Sequence, residues 1–209
     1  QEETLTPTKI VSLKQGDLIG YEKDDTEYFL GVPYAEDGDQ PPLPDAYAQV
    51  VRKHMKKLGL KVMLEPGRLI AANAGILVSE VVYVKEGEAK NFVIVDAAMN
   101  DLLRPALYDG WHAIVPVAEA RDTAARTWEI VGPICETGDF LGHDRELSLA
   151  ENDLLAVRTA GAYGFAMASS YNARPRAAEV MVDGDVVHEV RARETVADLM
   201  RGEQRLPFA

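Results

Sequence analysis

A single cysteine and the polar residues near it are the first candidates for chemistry in this sequence. Cys135 is followed directly by Glu136, and Asp139 lies in the same short segment. A thiol becomes a nucleophile only as the thiolate, so it needs a neighbouring base that takes up its proton. His112 is the candidate base, and Glu136 or Asp139 could orient its ring. The pattern therefore indicates a candidate nucleophilic site made of Cys135, Glu136 and His112.

The motifs of several common catalytic classes do not occur in the sequence. It has no Gly-x-Ser-x-Gly, no Ser-x-x-Lys, no His-Glu-x-x-His and no phosphate-binding P-loop. A lone cysteine is also more often a small buried hydrophobe than a nucleophile. Because there is one cysteine, an internal disulfide is excluded, and a reducing cytoplasm fits best.

Composition restricts the class of protein. The 209 residues are 47% hydrophobic and 27% charged, which is typical of a folded protein with one domain or a domain and an appendage. The 34 acidic and 22 basic residues give a net charge of −12, which argues against nucleic acid or an anionic membrane as a partner. No apolar run approaches the length of a membrane span. We expect a cytoplasmic protein, and a processed signal peptide stays open.

Three segments are predicted to be helical. Residues 45–58 form the best candidate, because Asp45 can cap the start of the helix and Gly59 can end it. A helical turn is predicted at 69–73. A short helix at 195–201 closes the chain, and the Thr-x-x-Asp spacing at its start is that of a capping box.

Most of the remaining chain has the pattern of short strands separated by Gly, Pro and Asp. Many such strands predict a mainly β (α+β) fold, either a β-sandwich or a Greek-key barrel with one or two helices. Two of the longest apolar runs, 75–84 and 91–96, are expected to form a hairpin. The predicted strands lie within 9–35, 61–64, 75–84, 91–96, 113–117, 127–131, 153–158, 178–182 and 185–192.

Six segments together resemble the C-terminal domain of diaminopimelate decarboxylase, an enzyme of lysine biosynthesis that uses pyridoxal phosphate (PLP). They occur in the order and with the spacing of that family, from about residue 30 to residue 209. The resemblance implies the C-terminal β domain of the fold-type III PLP decarboxylases without a complete (β/α)8 barrel. It divides the chain into an N-terminal hairpin (1–29), a remnant of the barrel (30–66) and the β domain (67–209). The segments are LGVPYAEDGDQPPLPDAYA (30–48), EPGR (65–68), NAGILV (73–78), VIVDAAMNDLLRPALYDGWH (93–112), VGPICETGD (131–139) and AGAYGFAMASSYNARPRAAEV (160–180).

The resemblance implies a site for a small-molecule substrate. Arg104 and Tyr108, in RPALY, are similar to residues that bind a substrate carboxylate, a task that suits the arginine fork. Cys135 and Glu136 resemble the pair that one subunit lends to its neighbour's active site, where the glutamate reaches the distal amino group of the substrate. A homodimer follows from that arrangement. Without the resemblance, a surface ion pair would be the preferred explanation of Arg104.

The resemblance also implies two contacts with PLP. Glu65 is similar to the carboxylate that pairs with the protonated pyridine nitrogen and keeps the ring an electron sink. Tyr163, in GAYG, is similar to a residue that contacts the cofactor phosphate. From residue type alone, Glu65 could simply end a strand and Tyr163 could fill a turn.

The lysine that carries PLP in this family has no counterpart in the sequence. Lys85 follows a predicted strand but matches an ordinary lysine of the C-terminal domain. Where the family has a glycine run that binds phosphate, residues 27–29 read Glu-Tyr-Phe, whose side chains would block and repel it. The expectation is that this chain binds no cofactor, needs no metal, and is not a decarboxylase by itself.

The start of the sequence resembles a different family. Residues 9–35 are similar to the N-terminal hairpin of type-B carboxylesterases, in which a Gly-rich turn leads to an F-x-G-[IV]-P-Y-A segment, here residues 29–35. This resemblance suggests a chimera with an esterase-like start and a decarboxylase-like end. We expect residues 9–30 to extend the sheet built from 75–96 and 178–192.

Three functional hypotheses follow. In the first, the chain is a chimeric or remnant domain whose activity, if it has any, is the hydrolysis of carboxylic esters by Cys135 with His112 as base. In the second, the chain is a fragment of a PLP-dependent diaminopimelate decarboxylase. In the third, it is a dimerisation domain without catalytic activity.

Overall fold

The computed structural model divides the chain into two compact units, 1–71 and 72–209. The three-part division at residues 30 and 67 stays a prediction. The structure describes residues 9–13, 16–23, 26–30, 44–56, 63–118 and 124–208.

The first unit contains a small antiparallel sheet and two helices. The sheet is a meander in which the central strand pairs with both others. It is a sheet of its own, so the prediction that residues 9–30 extend the sheet of 75–96 and 178–192 is wrong. The predicted helix at 45–58 is present, but its end lies outside the described residues. The elements are β1 (Lys9–Leu13), β2 (Gly16–Lys23), β3 (Thr26–Leu30), α1 (Pro44–Met55) and α2 (Gly67–Ala71).

The second unit is built on a six-stranded sheet with the order β6-β9-β4-β5-β7-β8. All neighbours in it are antiparallel except β5 and β7, which run parallel. The edge strands β6 and β8 lie against each other, so the sheet curls into a nearly closed barrel. This confirms the mainly β fold without a complete (β/α)8 barrel. The strands are β4 (Leu77–Lys85), β5 (Phe92–Val95), β6 (Ile114–Pro116), β7 (Arg126–Val131), β8 (Phe140–Leu147) and β9 (Leu154–Val157).

The core of this unit lies inside the curled sheet. Side chains that alternate along each strand point inward, which is the period of two that the sequence shows. The indole N–H of Trp128, in β7, donates to the carbonyl of Leu147 at 3.0 Å, so the largest core side chain keeps its polar atom bonded. The buried cluster consists of Val81, Val93, Val95, Ala97, Leu102, Ile114, Trp128, Ile130, Leu141, Leu155 and Val157.

A separate hairpin and a short helix follow the six-stranded sheet. β10 (Glu179–Asp183) and β11 (Val186–Arg191) pair only with each other among the described strands. Gly184, at φ +58°, makes the turn between them. The helix α4 (Val196–Leu199) begins with the predicted capping box. No helix in the described ranges is long and apolar enough to cross a bilayer.

Two elements of the second unit were not expected from the sequence, and one predicted strand is wrong. Strand β8 contains the charged run His-Asp-Arg-Glu and lies at an edge of the sheet, where His143, Asp144 and Glu146 remain exposed. The helix α3 (Arg104–Tyr108) is only five residues long and starts with proline in its first turn. The strand predicted at 61–64 is not formed at 63–64, and its first half lies outside the described part of the chain.

One buried carboxylate in β7 is held by a lysine and a histidine side chain. Glu129 accepts a hydrogen bond from the Lys90 ammonium at 2.7 Å and another from the His143 ring. Burial of the carboxyl favours its neutral form, but the hydrogen bonds and charges of Lys90 and His143 together outweigh that penalty. The pKa of Glu129 is therefore lower than its ordinary value. The ionised form thus stabilises the folded state.

We expect this cluster to make the protein sensitive to acid. Because the pKa of Glu129 is lowered on folding, its stabilising effect is fully present above the unfolded-state pKa and is lost as the pH falls through the lower folded-state value. Glu129→Gln should reduce the free energy of unfolding by about 1–3 kcal/mol at pH 7. Urea unfolding at pH 7 and pH 3 measures this. A difference between variant and parent that is as large at pH 3 as at pH 7 would contradict the assignment.

Candidate functional site

The loops at one edge of the six-stranded sheet carry most of the candidate residues. Strands β5, β7 and β9 end at this edge, and β4, β6 and β8 begin there, because β5 and β7 are parallel and the other pairs are antiparallel. We call this edge the site end. It carries α3, the loop 132–139 and the segment 158–174. Lys85 and Lys90 lie at the opposite end, where β4 ends and β5 begins.

Arg104 lies at the site end, and no described residue serves as a counter-ion for its guanidinium. It lies 5.7 Å from the ring centroid of Tyr108 and 5.8 Å from that of Tyr163. Its Nε is buried and has no hydrogen-bond partner, and no carboxylate of the described residues pairs with it. The rings of Tyr108 and Tyr163 therefore lie beside the Arg104 guanidinium, and no described carboxylate occupies its N–H donors. Such a group suits an anionic ligand, above all a carboxylate.

The backbone around Tyr163 is strained and closely packed. Tyr163 has φ +59°, a conformation that costs a residue other than glycine roughly 1–3 kcal/mol. The segment before it is fixed by hydrogen bonds from Ala160 N to Gly75 O at 2.9 Å and from Gly161 N to Ala72 O at 3.1 Å. A Cβ on Gly75 would lie only 2.6 Å from the Gly161 Cα. Close backbone packing thus holds Tyr163 beside Arg104, and the residue remains 46% exposed.

The loop 132–139 is organised around a buried carboxylate. Asp139 accepts a hydrogen bond from Ile134 N through Oδ2 and one from Met99 N through Oδ1, both at 2.7 Å. The loop also contains Cys135 and Glu136, which are exposed. Asp139 was considered from the sequence only as a residue that could orient His112. Its contacts instead join the loop to the segment before α3.

A second segment approaches Glu136 from the other side. The Tyr171 hydroxyl donates to Glu136 Oε2 at 3.4 Å. Arg174 anchors this segment, since its Nε donates to Asn100 Oδ1 at 3.0 Å. Burial raises the pKa of the neighbouring Asp101 carboxyl, against the hydrogen bond from Ala98 N and the charge of Arg174. Tyr171, Arg174 and Asn100 had no role in the sequence analysis, although two of its quoted segments contain them.

The nucleophilic pair expected from the sequence is not formed. His112 is fully buried, and its Nδ1 donates to the carbonyl of Arg158 at 2.9 Å and lies 3.2 Å from Thr159 Oγ1. Cys135 is exposed, and its thiol has no hydrogen bond to another residue in the described ranges. His112 is therefore a core residue and not the base of a cysteine nucleophile. Within the described residues, no group of three or more His, Cys, Asp and Glu side chains could hold a metal ion.

Glu65 belongs to the first unit. It lies just before α2, its side chain is exposed, and its carbonyl accepts a hydrogen bond from Gly67 N at 2.8 Å. Its assignment to the pyridine nitrogen of PLP stays a prediction.

A comparison with protein families identifies the class of the chain. Residues 8–161 match the family model described as "Pyridoxal-dependent decarboxylase, C-terminal sheet domain". The chain belongs to this decarboxylase family. The matched range begins at residue 8 and therefore includes the strands β1 to β3, which the sequence analysis assigned to an esterase-like start.

Named relatives of this decarboxylase domain are diaminopimelate decarboxylases. The enzyme of Pseudomonas aeruginosa is 54% identical over 95% of this chain and 47% of its own length. The crystal structure of AQ1208 from Aquifex aeolicus has a TM-score of 0.71 and 46% identity, over 82% of this chain and 42% of that one. Diaminopimelate decarboxylase from Helicobacter pylori, solved in complex with L-lysine, has a TM-score of 0.68 and 39% identity over the same shares of the two chains. The chain thus spans less than half the length of these relatives.

These matches overturn the first functional hypothesis. One family model covers the chain from residue 8, and the relatives are decarboxylases, so ester hydrolysis by a chimeric protein is the wrong reading. The type-B esterase resemblance rested on a short N-terminal segment. Its strongest part, the segment at residues 29–35, lies within the range that matches the decarboxylase family.

The family is pyridoxal-dependent, and the described residues offer contacts to only part of pyridoxal phosphate. Tyr163 is exposed, and the guanidinium of Arg104 beside it favours an anion such as a phosphate. The described lysines of the second unit, Lys85 and Lys90, lie at the opposite end of the sheet. These two lysines therefore cannot form a Schiff base at the site end.

Proposed function

We propose that this chain forms the C-terminal sheet domain of a diaminopimelate decarboxylase, and that its site end binds the amino-acid substrate. The observation that supports this most strongly is the guanidinium of Arg104 beside Tyr108 and Tyr163, which has no partner carboxylate within the described ranges, in a chain 54% identical to such an enzyme. PLP, when bound, supplies the electron sink that the removal of carbon dioxide requires. The residues of this chain hold the substrate in place.

The charges at the site end complement an amino acid. Diaminopimelate carries a carboxylate and an ammonium group at each end of its carbon chain. Arg104 can bind one carboxylate through two parallel N–H groups, and Tyr108 leaves an exposed hydroxyl near it. Glu136 offers a carboxylate to an ammonium group, with the Tyr171 hydroxyl on one of its oxygens. In a homodimer, Arg104 of one copy and Glu136 of the other would together select a substrate that has both groups.

A titration followed by NMR tests the proposal. The arginine Nε–H of Arg104 and the side-chain carboxyl of Glu136 give separate signals. We expect meso-diaminopimelate to shift both, pimelate to shift only Arg104, and 1,5-diaminopentane to shift only Glu136. The proposal fails if meso-diaminopimelate leaves Arg104 unchanged at about 10 mM, where a binding free energy of about 3 kcal/mol already populates the complex. It also fails if diaminopentane shifts Arg104 as much as the diacid does.

We further propose that two copies of the chain associate. The resemblance to decarboxylases implies that the exposed Cys135 and Glu136 serve the site of a second copy, which requires a homodimer. Sedimentation at high micromolar concentration should therefore give twice the mass of one chain. Replacing Glu136 by lysine should weaken association, whereas Glu146→Lys, at an exposed position toward the far end of β8, should not. A monomer at that concentration would contradict the dimer.

A further inference from the structure

The carboxylate of Glu136 has a hydrogen-bond donor on each of its two oxygens. Its Oε1 accepts from Gly138 N at 3.3 Å, and its Oε2 accepts from the Tyr171 hydroxyl at 3.4 Å. Gly138 lies in the same loop, whereas Tyr171 comes from a segment 35 positions further along the chain. A carboxylate has about four acceptor positions, so these two bonds leave room for further donors. Tyr171 therefore orients Glu136 without occupying the whole carboxylate.

The segment that carries Tyr171 is a tight turn with a strained backbone. The amide of Arg174 donates to the carbonyl of Tyr171 at 3.3 Å and closes the turn. Asn172 and Ala173 have φ values of +57° and +55°, and this left-handed conformation costs free energy in a residue that has a side chain. Such a conformation persists only where surrounding contacts hold it, so the turn needs an anchor on the rest of the unit.

Asn100 is that anchor, and it uses its backbone and both ends of its side chain. Its carbonyl accepts from Ser169 N at 2.9 Å, and its Nδ2 donates to the carbonyl of Ser169 at 3.3 Å. Its Oδ1 accepts from Arg174 Nε at 3.0 Å, so Asn100 holds the turn on both sides of Tyr171. Arg174 Nη2 also donates to the carbonyl of Asp96. Only 1% of Asn100 is exposed, and a buried polar network that is fully bonded favours a single arrangement.

We infer that Tyr171, in this anchored turn, is a positioning residue that determines specificity for an ammonium group by orienting Glu136. The inference rests on the proposed function, in which Glu136 binds an ammonium group in the site of the second copy. Tyr171 and Glu136 belong to the same chain, so the turn 169–174 enters that site together with the loop 132–139. A carboxylate that is already oriented loses less side-chain freedom when the ammonium group binds, which lowers the entropic cost of binding.

Tyr171→Phe tests the inference, because it removes the hydroxyl and keeps the ring. In the ligand-free protein, we expect the signals of the Glu136 carboxyl carbon and the Gly138 N–H to shift. The affinities for meso-diaminopimelate and 1,5-diaminopentane should fall roughly three- to tenfold, because one hydrogen bond to Glu136 is lost. The affinity for pimelate, which has no ammonium group, should stay unchanged. NMR titration of the full chain measures the signals and the affinities together.

Arg174→Lys tests the anchor without changing Tyr171. The lysine keeps the positive charge but has no fork that could bond both Asn100 and the carbonyl of Asp96. It should therefore loosen the turn and move the Glu136 carboxyl signal in the same direction as Tyr171→Phe does. A Glu136 signal that stays in place in this variant would contradict the anchored turn.

Tyr83→Phe is the matched control. Tyr83 is 54% exposed and Tyr171 is 48% exposed, but Tyr83 lies close to the end of β4 that is opposite the site end. It should leave the Glu136 signal and all three affinities unchanged. The inference is overturned if Tyr171→Phe leaves the Glu136 signal or the diamine affinity unchanged, or if it weakens pimelate as strongly as the diamine. Failure of the parent to bind all three ligands would instead refute the proposed function, and the ligand-free shifts would still report the contact between Tyr171 and Glu136.

Discussion

Replacement of Arg104 by alanine should lower the affinity for meso-diaminopimelate roughly 100-fold. The guanidinium has no counter-ion among the described residues, so a bound carboxylate would not compete with another anion for it. A hydrogen bond to a charged group contributes about 1.5–3 kcal/mol, and the arginine fork makes two. A loss of about 3 kcal/mol corresponds to about two decades of affinity. Calorimetric titration of the parent and the variant measures the difference.

Two companion variants separate charge from geometry. Arg104→Lys keeps the cation between the two tyrosines but loses the fork, so we expect a loss of about tenfold. Arg126→Ala removes an exposed arginine at the opposite end of the sheet, where it pairs with Glu86, and should change affinity less than twofold. Equal losses of affinity for Arg104→Ala and Arg126→Ala would show that binding depends only on the net charge of the protein. That result would remove the specific role of Arg104.

The ligand series gives the same prediction a second readout. Arg104→Ala should weaken pimelate as strongly as meso-diaminopimelate and leave 1,5-diaminopentane unaffected, because only the acids carry carboxylates. The variant also loses two cation–π contacts, each worth about 0.5–1 kcal/mol at an exposed site. Thermal unfolding must therefore accompany the titrations. A weakened affinity for the diamine would indicate a general disturbance of the site.

Much of the sheet could be predicted from local sequence patterns. The hairpin of β4 and β5 follows from two apolar, β-branched runs around a polar turn, and the cap of α4 follows from one Thr-x-x-Asp spacing. The parallel pairing of β5 with β7 could not be found in this way. It joins strands that are separated by a helix and another strand, and no local pattern specifies such a partner.

The candidate site could also be predicted only in part, because some of its contacts join residues far apart in the sequence. Arg104, Tyr108 and Tyr163 could be selected because they lie in long motifs, and the structure brings them together. His112 was selected by residue type alone, and burial removes it from the proposed role because its ring is bonded within the core. The role of Asp139 depends on Met99, forty positions away, so its spacing in the sequence carries no signal.

The esterase interpretation failed for a related reason. A segment of seven residues with an apolar run, a glycine and a proline is short enough to fit unrelated families. Residues 29–35 are such a segment. The six longer segments occurred in register over most of the chain, and the family match confirmed them. The length of a resemblance and the spacing of its segments therefore carry more information about the family than the fit of one short motif.

Gly75→Ala should strongly destabilise the protein at the site end. Its Cβ would lie 2.6 Å from the Cα and 2.9 Å from the N of Gly161, and both are backbone atoms that cannot rotate away. The two segments cannot separate easily, because Ala160 N donates to the Gly75 carbonyl at 2.9 Å. Overpacking of this kind costs about 1–3 kcal/mol, so the melting temperature should fall by roughly 5–10 °C for a unit of this size.

The same methyl should also disturb the substrate site. Tyr163 follows Gly161 by two residues and is held in a strained conformation beside Arg104, so displacement of the segment should move its ring. We expect the Arg104 Nε–H signal to lose its shift from the tyrosine ring current. Gly202→Ala is the control, because a Cβ there meets nothing within 4 Å, and its stability should change by about 0.5 kcal/mol at most. An unchanged melting temperature for Gly75→Ala would mean that the close approach of the two backbones is relaxed in solution, and Tyr163 would then need another explanation for its position.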